Sequence, residues 1–384
     1  MLEITEELSR LGALNLRRNM KLIEGPQGPR VIVDGRETIL LCSNDYLGLA
    51  NDPCVKAAAV EAIKKYGFGS GASRLVSGNM EPHEALEEKI KNFKGTEAAL
   101  VFNSGYHANL GCISALAGRS TEVFSDRLNH ASIVDACILS RAAIKRYPNR
   151  NMDFLESLLK KSKAKSKLIV TDGVFSMDGS IAPLDDMACL LDKYGAMLFL
   201  DDAHATGVLG KGGKGTLEHF GIVHPSIIQM GTLGKAIGAF GAFVASSKEL
   251  IDLLVSKARP FVYTTALPPS VCAAASKAID IIGQKPDLIE LLRYNTRYFK
   301  NGLAGQGLNT LGSATHIIPI VTGDAKKTME MSATLLEKGV FIQGIRPPTV
   351  PENTSRLRVS ITAVHSKEDL DSAIFAIKET VGEN

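Results

Sequence analysis

Several features that assign a protein to a class at first sight are missing from this sequence. Its longest apolar stretches fall far short of the roughly 20 residues that cross a bilayer, so no membrane-spanning helix is expected. The opening residues, MLEITEELSR, have no positive region followed by an apolar run, which predicts the absence of a secretory signal. Cysteines are few and have no C-x-x-C spacing: Cys42, Cys54, Cys112, Cys137, Cys189 and Cys272. We therefore expect free thiols in a reducing cytoplasm, with neither disulfides nor a metal site.

An excess of charge of either sign is also missing. The formal net charge is +3, from 44 basic and 41 acidic residues, so the overall balance favours neither nucleic acid nor an anionic membrane as a partner. One basic run, KKSKAKSK at 160–167, directly precedes the apolar stretch LIVTDGV. Because it lacks the aromatic residues that stack on bases, we interpret it as a solvated helix end and loop.

What the chain does have is an alternation of short apolar runs with amphipathic helical segments. Among its 384 residues, of which 45% are hydrophobic, the predicted strands are AALVFN, EVFSD, KLIVTDG, AMLFLDD, SIIQMG and GAFVAS. Continuous apolar strands separated by helices indicate a mostly parallel sheet with helices on both faces, which is an α/β fold. We predict an N-terminal arm (1–55), a large α/β domain (56–280) and a small C-terminal α+β domain (281–384), whose last helix opens with the capping box SKED.

Polar side chains follow three of these strands at the point where each strand ends. The segments LFLDDAH, VTDGVFSMDG and QMGTLGKA supply Asp201, Asp202, His204, Asp172, Ser176, Asp178, Thr232 and Lys235. Each residue alone has an ordinary interpretation, since an aspartate after a strand is usually a cap or turn residue and a single histidine is usually structural. If the strands are neighbours, however, an amine, carboxylates, an imidazole and hydroxyls converge where ligands of parallel sheets bind.

An amine beside a carboxylate suits one cofactor in particular. A desolvated lysine can form a Schiff base with an aldehyde, and pyridoxal phosphate needs such a lysine together with an acid beside its pyridine nitrogen. Lys235 and Asp201 fit these two roles. The phosphate would lie at a helix start, where FNSGYHANLG offers Ser104, Gly105 and Tyr106, with the Thr232 hydroxyl nearby.

Two other classes of protein compete with this interpretation. A phosphate-binding P-loop would need G-x-x-x-x-G-K-[ST], but GTLGKA has the wrong first spacing and GKGGKGT has the wrong order. A silent regulator that keeps the fold is a further alternative, and the intact set of Lys235, Asp201 and His204 disfavours it.

Six ordered motifs resemble the α-oxoamine synthases, which are pyridoxal-phosphate enzymes of the aspartate-aminotransferase-like fold type I. These motifs are SNDYLGLA, LNHAS, TDGVFSMDG, DDAHATG, GTLGKA and RLRVSITAVH, and they extend from Ser43 to His365. Within the family, GSGASRLVSGN and IRPPTVP are most similar to members that condense L-alanine with a pimeloyl thioester in biotin synthesis. Asp172 is shared with members that use glycine and acetyl-CoA, and Ala205 departs from a common glycine, so that alternative stays open.

The resemblance implies a role for each matching residue. Lys235 would bind the cofactor and act as the base on the substrate α-carbon, and Asp201 would pair with the pyridine nitrogen. His204 and Ser176 would bond the ring oxygen, His130 would stack on the ring and contact substrate, and Gly105, Tyr106 and Thr232 would help to hold the cofactor. Substrate would be bound by Arg358 through the amino-acid carboxylate, and by Asn44, Thr349 and Arg18. We expect Arg356, two residues before Arg358, to point to the opposite face.

The resemblance also implies the partners. Family members are homodimers with shared active sites, so Thr349 is expected to reach the cofactor of the partner subunit. The acyl carrier, coenzyme A or acyl carrier protein, is left open. The glycines of GTLGKAIGAFGA (231–242) are expected to let the backbone approach the cofactor closely.

Overall fold

The computed structural model describes residues 3–382, and its helices and strands are spread over that whole range. The helices are α1 (Ile4–Ala13), α2 (Pro53–Tyr66), α3 (Glu81–Lys94), α4 (Gly105–Leu116), α5 (Ala131–Ser140), α6 (Met152–Lys161), α7 (Leu184–Tyr194), α8 (Thr216–Phe220), α9 (Lys248–Lys257), α10 (Arg259–Val262), α11 (Pro269–Gln284), α12 (Asp287–Leu303), α13 (Ala325–Glu337) and α14 (Lys367–Gly382), with a π-helical turn at Arg74–Gly78. The strands are β1 (Ile23–Glu24), β2 (Arg30–Val33), β3 (Arg36–Leu40), β4 (Ala98–Phe102), β5 (Thr121–Asp126), β6 (Ala143–Tyr147), β7 (Ser166–Asp172), β8 (Met197–Asp201), β9 (Ile227–Thr232), β10 (Ala242–Ser246), β11 (Ile317–Gly323), β12 (Val340–Phe341), β13 (Gln343–Ile345) and β14 (Ser355–Ser360).

The chain divides into two compact units. The large unit comprises Leu49–Phe175 and Ile181–Ile289. The small unit comprises the chain up to Gly48, the short segment Ser176–Ser180 and the chain from Glu290 onward. The small unit is therefore discontinuous in sequence.

The large unit is built on one mixed sheet. Within the described residues, seven strands lie in the order β4-β10-β9-β8-β7-β5-β6. The pairs β8–β9, β7–β8, β5–β7 and β5–β6 are parallel, whereas β10 runs antiparallel to both β4 and β9. The mostly parallel sheet predicted from the sequence is confirmed, and all six predicted strands are present in it. Strand β6 was missed, because AIKRY is a largely exposed edge strand with two charges in five residues.

Both faces of this sheet are buried, as the continuous apolar strands predict. Side chains alternate across a strand, so neighbouring residues enter different clusters. In β7, Leu168 and Val170 join a cluster that includes residues of α4, α5 and α9, while Ile169 joins one that includes residues of α6 and α7. In β8, Phe199 joins the first of these clusters and Leu200 joins the second. The sheet thus forms the middle layer, and its strand ends are held rigidly.

The small unit holds two smaller sheets within its described residues. The first has the order β1-β2-β3-β12, and β12 pairs with β3 in parallel, joining the two ends of the chain. The second is antiparallel, with the order β11-β14-β13. Helix α14 follows the predicted capping box, since the Ser366 hydroxyl accepts from the Asp369 amide while the Asp369 carboxylate accepts from the Ser366 amide. Among residues 3–382, no helix is both long and apolar enough to cross a bilayer.

Candidate active site

The three strand ends singled out in the sequence are neighbours in the large sheet. Asp172, the last residue of β7, lies directly opposite Asp201, the last residue of β8. The next strand, β9, ends at Thr232, three residues before Lys235. The expected convergence of an amine, carboxylates and a hydroxyl at one sheet edge is therefore confirmed for the large unit.

Lys235 lies beside an imidazole. Its Nζ is 2.8 Å from Nε2 of His204, which lies three residues after the end of β8. Lys235 is half-buried and His204 is buried. In a hydrogen bond of this length one nitrogen donates and the other accepts, so the pair is suited to pass or share a proton.

Asp201 is a buried carboxylate that contacts only neutral donors. It is 4% exposed, its Oδ1 accepts from the Ala203 amide at 3.1 Å, and its Oδ2 accepts from Asn109 Nδ2 at 2.7 Å. Within residues 3–382 Asp201 forms no ion pair. A carboxylate removed from water is stabilised by a cationic partner, so this arrangement suits a ligand that brings a positively charged nitrogen.

Asp172, on the adjacent strand, has a carboxyl whose pKa is raised. Burial raises the pKa of its carboxyl well above the ordinary value, and the nearby charge of Asp201 raises it further. Its Oδ2 accepts from the His130 backbone amide at 2.7 Å, while its own amide donates to Asn129 at 3.0 Å. The Asp172 carboxyl therefore holds a proton more readily than an ordinary aspartate does.

A chain of hydrogen bonds leads from Asp201 to His130. Asn109 Nδ2 donates to Asp201 and also to Ser132 Oγ at 2.8 Å, and Ser132 Oγ lies 2.7 Å from His130 Nδ1. Desolvation by the surrounding protein lowers the pKa of His130, and Lys235 adds to this while Asp201 opposes it. His130 also caps α5 and is exposed, which leaves its ring accessible.

Asn109 and Ser132 were missed in the sequence. Asn109 is 1% exposed in α4, whose sequence GYHANLGCISAL is otherwise mostly apolar. A buried amide in such a helix requires hydrogen-bond partners, and this was the signal that could have identified it. Ser132 is the last residue of the motif LNHAS, but its partner could only be known from the fold.

The start of α4 offers donors for an anion. Ser104 caps the helix by accepting from the His107 amide, so the amides of Gly105 and Tyr106 belong to the first turn, where no intrahelical partner exists. The Tyr106 hydroxyl donates to Asp135 in a close contact. The Thr232 hydroxyl donates to the Gly241 carbonyl at 3.0 Å and accepts from the Gly234 amide at 3.2 Å.

Two of the glycines around Lys235, Gly231 and Gly238, serve the packing of the protein itself. A side chain on Gly231 would overlap the ring of Phe243, within 2.5 Å. Gly238 has φ of +68°, and a Cβ there would lie 2.4 Å from the backbone nitrogen of Ala50. These two positions therefore require glycine for reasons that the sequence did not indicate.

Arg358, in the small unit, is a buried cation with neutral partners. It is 6% exposed, its Nε donates to the Ser176 carbonyl at 2.6 Å, and both Nη atoms lie 3.3 Å from Asn44 Oδ1. Further contacts reach Ser360 Oγ at 2.9 Å and the Tyr46 hydroxyl at 3.4 Å. The sequence-predicted Asn44 and Ser176 thus lie beside Arg358, although Ser176 contributes its carbonyl to that contact.

The expectation for Arg356 was wrong. Residues i and i+2 of a strand lie on the same face, and Arg356 and Arg358 both contact the segment Ser176–Ser180. Arg356 makes a close ion pair with Asp178 and donates to the Met177 carbonyl at 3.3 Å. Its charge is therefore satisfied within the protein.

Arg18 and Thr349, predicted separately as substrate contacts, also lie together in the small unit. Arg18 Nη2 donates to Thr349 Oγ1 at 2.9 Å although the two residues are 331 positions apart. What either residue binds stays a prediction.

Comparison with known proteins places this geometry in a family. The model of aminotransferase class I and II matches residues 36–377. The 8-amino-7-oxononanoate synthase of Geotalea daltonii is 54% identical over 376 residues, which are 97% of this chain and 96% of the relative. The chain belongs to the α-oxoamine synthases, within aminotransferase classes I and II.

Solved structures support the fold of this α-oxoamine synthase. Serine palmitoyltransferase from S. paucimobilis, described with a bound PLP-myriocin aldimine, has a TM-score of 0.94 and 32% identity, covering 99% of this chain and 97% of that one. The 8-amino-7-oxononanoate synthase of Francisella tularensis has a TM-score of 0.78 and 30% identity, covering 90% and 98%. The predicted fold type I architecture is confirmed.

Proposed function

We propose that this α-oxoamine synthase condenses L-alanine with a pimeloyl thioester, giving 8-amino-7-oxononanoate, carbon dioxide and the free thiol carrier in biotin synthesis. The observation that carries the proposal is 54% identity to a synthase of that name across nearly the whole of both chains. Further relatives with this name are 53% and 54% identical over 97% and 98% of the chain. The alternative, condensation of glycine with acetyl-CoA, is not favoured by these relatives.

The residues present fit pyridoxal phosphate. Asp201 is a buried carboxylate whose recorded partners are neutral, so a protonated pyridine nitrogen supplies the cation that it lacks. Lys235 supplies the amine, and the first turn of α4 supplies amides for the phosphate. When bound, the cofactor supplies an aldehyde that takes up an amine and a protonated ring that accepts electron density.

We assign the proton transfer to Lys235. Its Nζ takes the proton from Cα of L-alanine, and His204, at 2.8 Å, orients the amine. The Cα then forms a bond to the thioester carbonyl carbon while the C–S bond breaks, and the thiolate leaves on its carrier. Loss of carbon dioxide from the former alanine carboxylate follows, and a proton returns to Cα.

Arg358 and His130 are the proposed positioning groups. Arg358 binds the alanine carboxylate, because its guanidinium is buried and its recorded partners are neutral oxygen atoms. His130, whose side chain is exposed, would stack on the cofactor ring, and desolvation by the surrounding protein lowers its pKa, which favours the neutral ring. Asp172 fixes the backbone at His130.

The test is thiol release from the four combinations of L-alanine or glycine with pimeloyl-CoA or acetyl-CoA. Release with L-alanine and pimeloyl-CoA, at a kcat/KM above that of the other three, is expected. A preference for glycine with acetyl-CoA would instead assign the alternative activity. Product mass distinguishes condensation from simple hydrolysis of the thioester.

A homodimer is a further part of this proposal. The π-helical turn at Arg74–Gly78 contacts α10, and exposed apolar side chains lie on or next to these elements: Leu75 at 52%, Val76 at 81% and Tyr263 at 73%. Apolar surface of this kind is commonly covered by a partner. Sedimentation at micromolar concentration should give twice the chain mass, and the Val76→Asp variant should shift it toward the monomer.

We place the enzyme in the cytoplasm. All six cysteines are free thiols, and none is within a disulfide in the described structure. Such usage suits a reducing compartment. Cell fractionation with an antibody against the chain tests this assignment.

A further inference from the structure

The chain of hydrogen bonds from Asp201 to His130 runs through Asn109 and Ser132 and lies within the large unit. Its two inner members are removed from water, since Asn109 is 1% exposed and Ser132 is 0% exposed. In such a place, donors and acceptors are normally paired with other groups of the protein. The chemistry of the four side chains therefore fixes the direction of each bond.

Asp201 sets the direction of the first bond. An ionised carboxylate only accepts hydrogen bonds, so the atom of Asn109 that lies 2.7 Å from Asp201 Oδ2 is the amide nitrogen. The reverse orientation of the amide would place an oxygen against the carboxylate. Asn109 Oδ1 is itself buried without a hydrogen-bond partner, so it does not hold the amide in place. Both amide hydrogens are donated, one to Asp201 and one to Ser132 Oγ at 2.8 Å.

The hydroxyl of Ser132 passes this direction on to His130. Its oxygen accepts from Asn109, so its own proton is left for His130 Nδ1, which lies 2.7 Å away. A proton on Nδ1 would instead leave the serine proton buried without an acceptor. The backbone amide of Ser132 also donates to Nδ1, at 3.3 Å, because His130 caps α5. Two donors converge on Nδ1, and a nitrogen that carries its own proton accepts neither of them.

The proton of the neutral His130 ring therefore lies on Nε2. Desolvation favours the neutral ring by lowering the pKa of His130; the charge of Lys235 adds to this effect, while Asp201 and Asp135 oppose it. The exposed ring thus offers a donor, and no acceptor, to a bound molecule.

We propose that Asn109 and Ser132 are positioning residues that hold His130 in the Nε2–H tautomer, and that Asp201 sets this tautomer from the far end of the chain. The inference rests on the proposed function, because that function places the cofactor ring beside His130. Asn109 and Ser132 act through His130 and take no part in bond making. Asp201 then acts on two groups, the cationic nitrogen that it is suited to pair with and the imidazole that stacks on the ring.

The experiment measures the tautomer directly, by nitrogen NMR of the full-length protein with pyridoxal phosphate bound and its histidines labelled with ¹⁵N. The His130→Gln variant identifies the His130 signals by their disappearance. In the unaltered protein near pH 7, Nε2 should have the chemical shift of a protonated nitrogen and Nδ1 that of an unprotonated one. A proton on Nδ1, on both nitrogens or shared equally between them would overturn the proposal.

Variants of the two inner residues test their positioning role. Ser132→Ala and Asn109→Ala each remove one link, so both should move the His130 signals toward a mixture of tautomers and lower kcat/KM for thiol release about 10- to 100-fold. Ser132→Thr keeps a hydroxyl and should restore the tautomer of the unaltered protein. The matched control is Ser140→Ala, which removes another buried hydroxyl from α5, bonded to the Cys137 carbonyl, and should change neither quantity.

A variant of the far end tests the role of Asp201. Asp201→Asn replaces an acceptor by an amide that also donates, so the orientation of Asn109 is no longer fixed and the His130 signals should again move toward a mixture. Unchanged signals in this variant would refute the role of Asp201.

Other outcomes also contradict the inference. Lower activity with unchanged nitrogen shifts in Ser132→Ala and Asn109→Ala would give these residues a structural role only, and altered shifts with unchanged kcat/KM would refute the positioning role. If a variant fails to fold, the signals of the unaltered protein still decide the tautomer.

The two proposals fail in distinguishable ways, because the NMR measurement needs no substrate. Absence of thiol release from L-alanine and pimeloyl-CoA by the unaltered protein would refute the proposed function and leave the tautomer standing. A proton on Nδ1 of His130 in an active enzyme would refute the tautomer alone.

Discussion

Each unit holds two buried residues of the same type that are close together in sequence. One of the two has an oppositely charged partner, and the other has only neutral partners. In the large unit, Asp202 binds Lys94 Nζ at 3.4 Å and the Thr216 hydroxyl at 2.6 Å. The preceding residue, Asp201, is equally buried and accepts only from an amide and an asparagine. Burial alone does not separate the two aspartates, whereas their partners do.

The small unit repeats the contrast with cations. Arg356 is ion-paired with Asp178, while Arg358, on the same strand and face, contacts neutral oxygens. Arg346 also has no acidic partner within residues 3–382. A buried charge satisfied by the protein contributes to the fold, whereas one left with neutral partners is suited to bind an oppositely charged ligand. Asp201 in the large unit is therefore suited to a cationic group, and Arg346 and Arg358 in the small unit are suited to anionic ones.

The largest expected effect concerns two lysines of the large unit, Lys94 and Lys235. Lys94 is committed to Asp202, so Lys235 is the amine that we assign to chemistry. Lys235→Ala should lower kcat by at least about 10⁴-fold and abolish the borohydride-reducible adduct with pyridoxal phosphate. Mass spectrometry of the reduced protein measures this. The exposed Lys211→Ala variant is the control, and a reduced adduct on another lysine would refute the assignment.

The second effect separates the two adjacent aspartates. Asp201→Asn removes a charge that acts on the cofactor ring, so kcat/KM should fall about 100- to 1,000-fold with little change in stability. Asp202→Asn leaves Lys94 without its partner and should lower the free energy of unfolding by about 3–5 kcal/mol. Urea denaturation and steady-state kinetics measure both quantities. Similar losses of activity and stability in both variants would contradict the comparison.

The third effect separates the two arginines of β14. Arg358→Lys loses the fork that binds a carboxylate, so KM for L-alanine should rise about 10- to 100-fold. Arg356→Lys weakens a structural ion pair and should lower the urea midpoint while leaving that KM unchanged. The idea fails if Arg356→Lys raises KM for L-alanine as much as Arg358→Lys does.

The smallest effect compares one buried histidine from each unit. Burial lowers the pKa of His83 in the large unit and of His365 in the small unit, below the value of about 6.5 expected in the unfolded chain. The unfolded chain then binds more protons, so stability is complete above pH 6.5 and decreases as the pH falls below it. The melting temperature should decline from pH 7 to pH 5, and each of His83→Gln and His365→Gln should flatten that decline. His219→Gln, at an exposed position, should not.

Much of the large unit could be predicted from its sequence. Side chains of the continuous apolar strands alternate between two cores, so the pattern of apolar residues predicts the strands of the sheet. The ends of three of these strands indicate the site. The antiparallel direction of β10 and the exposed edge strand β6 could not be predicted with equal ease, because direction and edge position depend on pairing rather than on composition.

Some site residues could be identified from the sequence, and others only from the fold. Lys235, Asp201 and His204 follow apolar strands, and the position itself identified them. Asn109 and Ser132 have meaning only through contacts between α4 and α5, and Arg346 only through the partners that it lacks. Arg356 was misjudged although the strand period placed it beside Arg358. Tertiary partners, and not residue type, decide such cases.

The division of the small unit along the chain has a consequence for synthesis on the ribosome. Strand β3, near the start, pairs with β12, and Arg18 meets a threonine 331 positions later. At ~5–20 residues per second, the first segment waits roughly 15–65 s for its partners to emerge. Until then the β2–β3 hairpin presents an open edge to other nascent chains. A chain that is terminated before β12 should therefore keep this edge exposed and aggregate.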